Sequence, residues 1–544
     1  MRKRYGARRR YWLIVPAALA VAAGIFLAFR LLPASPGVTA SPAPETALPA
    51  PAAATPSAPA SSSAPSASVS PAPAATPVPA AKTGKPAHLP KTSYSAALEL
   101  APSYDRFYGK MQVNYVNTTD DTLYELVFHL YPNAYYRPDG PGAAETQKSY
   151  GRLFSKGQTI ISSVSLDGQL AYFTVSDDGM LLRVPFIKEL APGESAELFI
   201  EFAVDVPTRN GRFGKTELGY QLGNFLPILA VYQDGGWVTA PYTPIGDPFY
   251  SETADYKIAL TYPAGYSLAC TGEITASETK DGQITSYIAA SRVRDFACVL
   301  GLGMQKTEDD AGGVHIVSYA LSDASAKRGA ALAKSVLDTL AGKLGGYPYK
   351  TLTVAQTDMA YAGMEYPNLL MLQRELYLPG RELELELTVA HEAIHQWFYG
   401  VVGNDEVSAP WIDESITSYL SLVYFDLAGK SDAYGGLMQK YVAERAALGA
   451  KVDGALTEYP GEDAYVNSAY WRGAAMYHAL REKFGDATFF AALRAYLREN
   501  AYGVAVKADI VRAFEDTSGV ALADWFEEWL PAPVPAPDVT DKAE

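Results

Sequence analysis

Two of the chain's six histidines flank a glutamate in "AHEAIHQWFYG", residues 390–400. On a helix, positions i and i+4 share one face, so His391 and His395 can offer two imidazoles to a single metal ion. Glu392 projects beside them, where it can take a proton from a water. Ala390, Ile394, Trp397 and Val401 form an apolar stripe on the same helix, and Trp397 and Phe398 read as packing that holds the histidine face. The competing reading is a plain helix with two incidental histidines beside its core. A hydrolytic zinc site takes three protein donors and leaves one position open. Eighteen residues separate His395 from Glu414 in "PWIDES". That spacing predicts a first helix ending at Gly403, a turn, and a second helix that returns Glu414 to the histidines. A solvated first-turn glutamate, favoured by the helix dipole, is the bland alternative. Together the residues predict one Zn²⁺ held by His391, His395 and Glu414, with Glu392 as general base toward a metal-activated water.

Such a site needs elements to carry it, and the chain is long enough for more than one domain at 544 residues. Residues 92–312 read as a mainly antiparallel β domain. "GKMQVNYVN" alternates apolar and polar, and Asp178-Gly179 and Asp281-Gly282 carry hairpin turn chemistry. From 313 to 530 the period changes. "SAKRGAALAKSVLDTLAGKL" reads as a helix, "TLTVAQTD" as a short strand whose edge an extended peptide can join, and "APWIDESITSYLSLVYFDLAG", "SAYWRGAAMYHALREKFG" and "ATFFAALRAYLREN" as further helices. The expected class is α+β multidomain, a β-rich N-terminal domain before a small sheet plus helical bundle.

The ends are compositionally different. Residues 1–30 hold seven basic and no acidic residues, leaving 38 basic against 60 acidic residues in the rest. That acidic body cannot neutralise phosphates, so nucleic acid is excluded as its partner. The basic block and the apolar run to residue 32 predict a single-pass membrane anchor, with a cleaved signal peptide as the alternative. Either way the body is exported, as an extracytoplasmic domain at the cell membrane or as a secreted protein. Residues 33–91, rich in Pro, Ala and Ser, predict a disordered spacer, and 531–544 a disordered tail. The two cysteines, Cys270 and Cys298, lie in strand-like runs either side of a hairpin-like segment. They read as two small buried residues or as one disulfide between adjacent strands.

The zinc motif with Glu414 resembles that of the gluzincins, and within them the aminopeptidases of peptidase family M1. Three further matches carry the resemblance. "AGMEYP" aligns Gly363, Met364 and Glu365 with the family's G-x-M-E-N loop, with Tyr366 in place of the asparagine. "AYWRGA" aligns Tyr470 with the family's tyrosine motif, with Arg472 for lysine. "GYQLGNFLP" offers Gln221 for the family's glutamine. The resemblance implies a thermolysin-like catalytic domain and a role for Glu365 in binding the α-amine of a peptide substrate. It implies that Tyr470 supports the developing oxyanion. Met364 and Tyr361 then line the first side-chain pocket or simply pack. The long C-terminal domain of many members is missing, which implies a shortened, two-domain enzyme with a more open cleft. The expected function is a zinc aminopeptidase acting on peptides outside the cytoplasm. A catalytically silent peptide-binding domain and an endopeptidase of the same fold are the alternatives.

Overall fold

A computed structural model describes residues 92–142 and 154–530. The expected anchor, spacer and tail lie outside the described residues. Among the described residues no helix is long and apolar enough to cross a membrane. Among the described residues the first half is built on strands, with a short 3-10 turn at Tyr131–Tyr135. An eight-stranded sheet runs in the order Glu273–Lys280, Gln283–Val293, Ala254–Pro263, Thr92–Leu100, Arg106–Val116, Ser195–Asp205, Gln158–Leu166, Gln169–Leu170. Its pairs are antiparallel apart from Thr92–Leu100 with Ala254–Pro263, which run parallel. The Asp281-Gly282 turn forms as its chemistry predicts: both residues have positive φ, 52° and 76°, and join the outer hairpin.

A second sheet, Tyr266–Cys270, Cys298–Leu302, Gly219–Leu222, Phe213–Thr216, faces the second half of the chain. Alternation splits its side chains. Tyr220, Leu222, Cys270, Cys298 and Leu300 join the core of the strand half. Ala269 and Val299 point the other way, into a smaller core with Met359, Met364, Tyr366 and Met371. That smaller core joins the two halves.

The second half begins with a five-stranded sheet: Gln305–Ala311, Val314–Ala320, Thr351–Thr357, Leu369–Gln373, Gly363–Met364. Residue 312 therefore falls in the turn of a hairpin whose two strands both belong to this sheet. Thr351–Thr357 is flanked on both sides, so the expected peptide-accepting edge is not there. The edge is Gly363–Met364, paired only with Leu369–Gln373. Helix α1, Asp323–Leu344, covers this sheet with its alanine and leucine face. Ser322 caps it by accepting from the Ser325 amide at 3.1 Å, and Gly345 ends it in a left-handed conformation. Helix α2, Glu382–Ile394, and helix α3, Trp411–Leu427, follow. Every residue of α3 from Trp411 to Phe425 is buried, so it is the central rod of the helical half.

His129, buried beside Tyr131 in the strand half, makes an internal pH probe. Burial pushes its imidazole down to about 4. The folded chain keeps it neutral, whereas an unfolded chain titrates near the ordinary histidine value. Its contribution is therefore fully present above about pH 6.5 and lost as pH falls toward 4, by up to about 3 kcal/mol. Denaturant titrations across that window are expected to show a steeper loss for the native chain than for His129→Gln.

Candidate active site

Helix α2 ends at Ile394, well before Gly403, yet both histidines stay in register because His395 keeps helical angles as the C-cap. Beyond it the chain breaks into tight turns, with Tyr399 at φ 123°. The early end has a physical use. The freed Phe398 carbonyl lies 2.9 Å from His395 Nδ1. A carbonyl can only accept, so Nδ1 carries the proton and Nε2 keeps its lone pair.

The predicted donors do converge. The two Nε2 atoms are 3.1 Å apart, and Glu414 Oε2 lies 3.2 Å from that of His391 and 3.3 Å from that of His395. Glu414 Oε2 is buried without hydrogen-bond geometry to any donor. Two imidazole nitrogens and an orphaned carboxylate oxygen facing one point fit a tetrahedral Zn²⁺ with one position left over. Behind His395, Asp413 Oδ2 stands 3.5 Å from Nδ1, and Asn404 holds the other Asp413 oxygen at 3.2 Å. Glu414 is buried, which raises its carboxyl, but His395 and His391 outweigh that and hold it well below the usual range.

Tyr470 reaches the same point from a π-helical turn, Val466–Arg472. Its hydroxyl donates to Glu414 Oε1 at 2.5 Å and its ring stacks on His391 at 5.7 Å. The wide turn packs tightly on α3. A Cβ on Gly473 would fall 1.8 Å from Ser415 Oγ, and that hydroxyl donates to the Ala469 carbonyl at 2.6 Å. Gly473, in "YWRGA", is thus the sequence trace of this close approach.

Glu392 is buried above Gly363, whose missing Cβ leaves room for the carboxylate: an added one would lie 2.1 Å from Oε1. Burial pushes the Glu392 carboxyl up to about 8. Glu365 lies beside it and is likewise raised by burial. Glu365, Gly363, Glu392, His391, Glu414 and Tyr470 all line one cavity of about 270 Å³. Tyr361 lines it too, whereas Met364 is buried in the core between the halves, so its part is packing.

Gln221 does not line that cavity. It is buried on its strand opposite Val299, and alternation turns it toward the same inter-half layer as Met364 and Tyr366. The cavity instead receives Arg212 and Asp247 from the strand half, which the sequence alone did not single out. They form an ion pair at 2.6 Å in which Arg212 is buried and Asp247 partly so, and the guanidinium lies over the Tyr361 ring. No motif marks them, because their partners are distant in sequence.

Tyr366 also has a clear structural place. It is fully buried, and its hydroxyl donates to Asn224 Oδ1 at 2.6 Å. Asn224 Nδ2 and the Tyr399 hydroxyl both donate to Asp295 Oδ2, at 3.3 and 2.7 Å. Gly223 makes room: a Cβ there would sit 1.9 Å from the Tyr366 oxygen. From the other side Gln396 Nε2 donates to the Glu365 and Tyr366 carbonyls, at 3.2 and 3.3 Å. Gln396 follows His395 directly, so the loop carrying Glu365 is fastened to the histidine turn.

Residues 334–529 match the Peptidase family M1 domain. The segment that carries the zinc motif is thus similar to that domain. Among characterised relatives it is 22% identical over 307 residues to Tricorn protease-interacting factor F2 of Thermoplasma volcanium, covering 53% of this chain and 38% of that protein. It is 27% identical over 180 residues to Aminopeptidase N of Lactococcus lactis subsp. lactis, covering 30% of this chain and 21% of that one. The matches thus span well under half the length of these relatives. The fold is shared more widely. M1 zinc metallopeptidase from Deinococcus radiodurans superposes with a TM-score of 0.59 at 19% identity, covering 83% of this chain and 97% of that one. A mutant of the same protein bound to a Tyr-Ser-Ala substrate superposes with a TM-score of 0.60 at 19% identity, covering 83% and 98%.

Two measurements check the site. Glu414→Ala is expected to weaken zinc retention by about 100-fold or more, read by metal analysis after dialysis, while Glu392→Gln keeps a full equivalent of metal. Gly223→Ala, forced against the Tyr366 hydroxyl, is expected to cost about 1–3 kcal/mol in denaturant titration.

Proposed function

We propose that the chain is a zinc-dependent aminopeptidase that removes N-terminal residues from peptides, working outside the cytoplasm and tethered through residues 1–32. The observation that carries the reading is the cavity lined by Glu365, Glu392, His391 and Glu414, with His395 clustered against the last two. A carboxylate beside the reacting centre, in a loop held rigidly by Gln396 and Tyr366, suits a substrate ammonium one residue from the scissile bond. The Deinococcus radiodurans protein seen with Tyr-Ser-Ala supports peptides as the substrate class.

When bound by His391, His395 and Glu414, a zinc ion supplies Lewis acidity toward a water and a substrate carbonyl. Glu392 acts as general base: its carboxylate takes the proton of the attacking water and hands it to the departing amine nitrogen. The Tyr470 hydroxyl, beside the Glu414 carboxylate, turns to donate to the oxygen that gains negative charge. Glu365 fixes the register by pairing with the substrate ammonium, so blocked peptides lose this anchor.

The test is a panel of free and acetylated aminoacyl amides, with and without chelator. Free substrates are expected to be cleaved, with activity lost on chelation and restored by Zn²⁺. Glu392→Gln is expected to lower kcat by about 10³-fold or more. Glu365→Gln is expected to raise KM for free substrates far more than for acetylated ones. Cleavage confined to acetylated internal peptides would establish an endopeptidase instead.

A further inference from the structure

The two cysteines take no part in the site, yet their placement is specific. Cys270 ends the strand Tyr266–Cys270, Cys298 begins the strand Cys298–Leu302, and the antiparallel register sets them directly opposite each other. Both side chains enter the core of the strand half, so they share a face. In the structure they are separate thiols.

Their pair type follows from the neighbouring hydrogen bonds. Opposed residues on an antiparallel ladder alternate between hydrogen-bonded pairs and wider-bonded pairs whose side chains come closer. The Thr271 amide donates to the Ala297 carbonyl at 3.0 Å, so 271 and 297 are the bonded pair next to the cysteines. The opposite edge agrees. Leu302 donates to the Leu218 carbonyl at 2.8 Å, and stepping by twos along that register turns the backbone of Cys298 toward Leu222 and away from Cys270. Cys270 and Cys298 therefore occupy a non-hydrogen-bonded site, where α-carbons lie about 4.5 Å apart. That separation falls inside the span a disulfide bridges.

We propose that Cys270 and Cys298 form a cross-strand disulfide when the chain folds in the presence of a disulfide oxidant, stapling the sheet that backs the candidate active site. One cysteine thiolate attacks the oxidant's disulfide and expels one thiol. The second attacks the mixed disulfide and expels the other. The protein loses two S–H bonds and gains one S–S bond, its two electrons reduce the oxidant to two thiols, and its two protons end on those thiols or in water. The exchange takes place before the sheet closes. Once it has closed, both sulfurs are buried and burial pushes the Cys270 thiol up to about 12, leaving almost no thiolate.

The bond would close the loop 271–297, which carries the exposed outer strand Glu273–Lys280. Closing a loop of that length restricts the unfolded chain. The native effect reaches the cavity by contact. Cys298–Leu302 also pairs with Gly219–Leu222, and the Gly223 and Asn224 that follow hold Tyr366 next to Glu365.

The experiment is a thiol count on the full chain refolded with glutathione disulfide and glutathione. After unfolding in guanidinium with iodoacetamide, no cysteine is expected to be alkylated. After reductant both are expected to be, and digestion without reductant is expected to yield a linked peptide holding Cys270 and Cys298. The oxidised chain is expected to melt about 4 °C above the reduced one, a gap absent in Cys270→Ser. Two alkylated cysteines in the chain refolded with the oxidant, or a linkage joining two chains, would overturn the proposal.

Discussion

The helical half is arranged around one costly constraint: two imidazoles and a carboxylate held within about a hydrogen bond's length of one another, out of water. Left alone, such groups would rotate apart or protonate, because buried polar atoms without partners lose their solvation. Each is therefore held from behind. Phe398 accepts from His395, Asn404 steadies Asp413 beside it, and Tyr470 donates to the outer oxygen of Glu414. What remains unsatisfied points inward, toward the position a cation would take.

The buried face of α3 carries Ser415, Thr417, Ser418 and Ser421, an unusual load for the centre of a core. Ser415 meets the backbone of the turn that bears Tyr470, at the one place where Gly473 has no side chain. The same device recurs at Gly363 under Glu392 and at Gly223 against Tyr366. In all three, a missing Cβ lets a functional side chain or its support come within contact of a backbone.

The strand half is part of the site rather than a passive neighbour. Asp295 gathers hydroxyl and amide donors from Tyr399 and Asn224, and Asn224 in turn receives Tyr366. Arg294 adds a guanidinium that binds the Ser251 carbonyl at 2.9 Å and that of Gly503 at 2.6 Å. The bonds of Tyr399 to Asp295, of Tyr366 to Asn224 and of Arg294 to Gly503 cross between the halves, so the loop bearing Glu365 is positioned by both. Arg212 and Asp247 extend the strand half into the cavity itself.

The shared face of His391 and His395 was legible in the sequence because it rests on local geometry, whereas the return of Glu414 to them depended on how two helices pack. A one-turn spacing fixes which face His391 and His395 share, whatever the rest of the chain does. The Asp281-Gly282 turn was equally local, a backbone preference written into two residues. Glu365 and Tyr470 were reached through family resemblance, and their spacing alone carried no such information. What only the tertiary structure decided depends on residues far apart in the chain. It ended α2 early so that Phe398 could orient His395, put Gly363–Met364 at the edge of the sheet in place of Thr351–Thr357, and turned Gln221 into the layer between the halves. It also set Cys270 opposite Cys298, Tyr366 against Asn224, and Arg212 beside Asp247. Contacts of that kind are set by strand register and close packing, and neither is encoded in the spacing of any one segment.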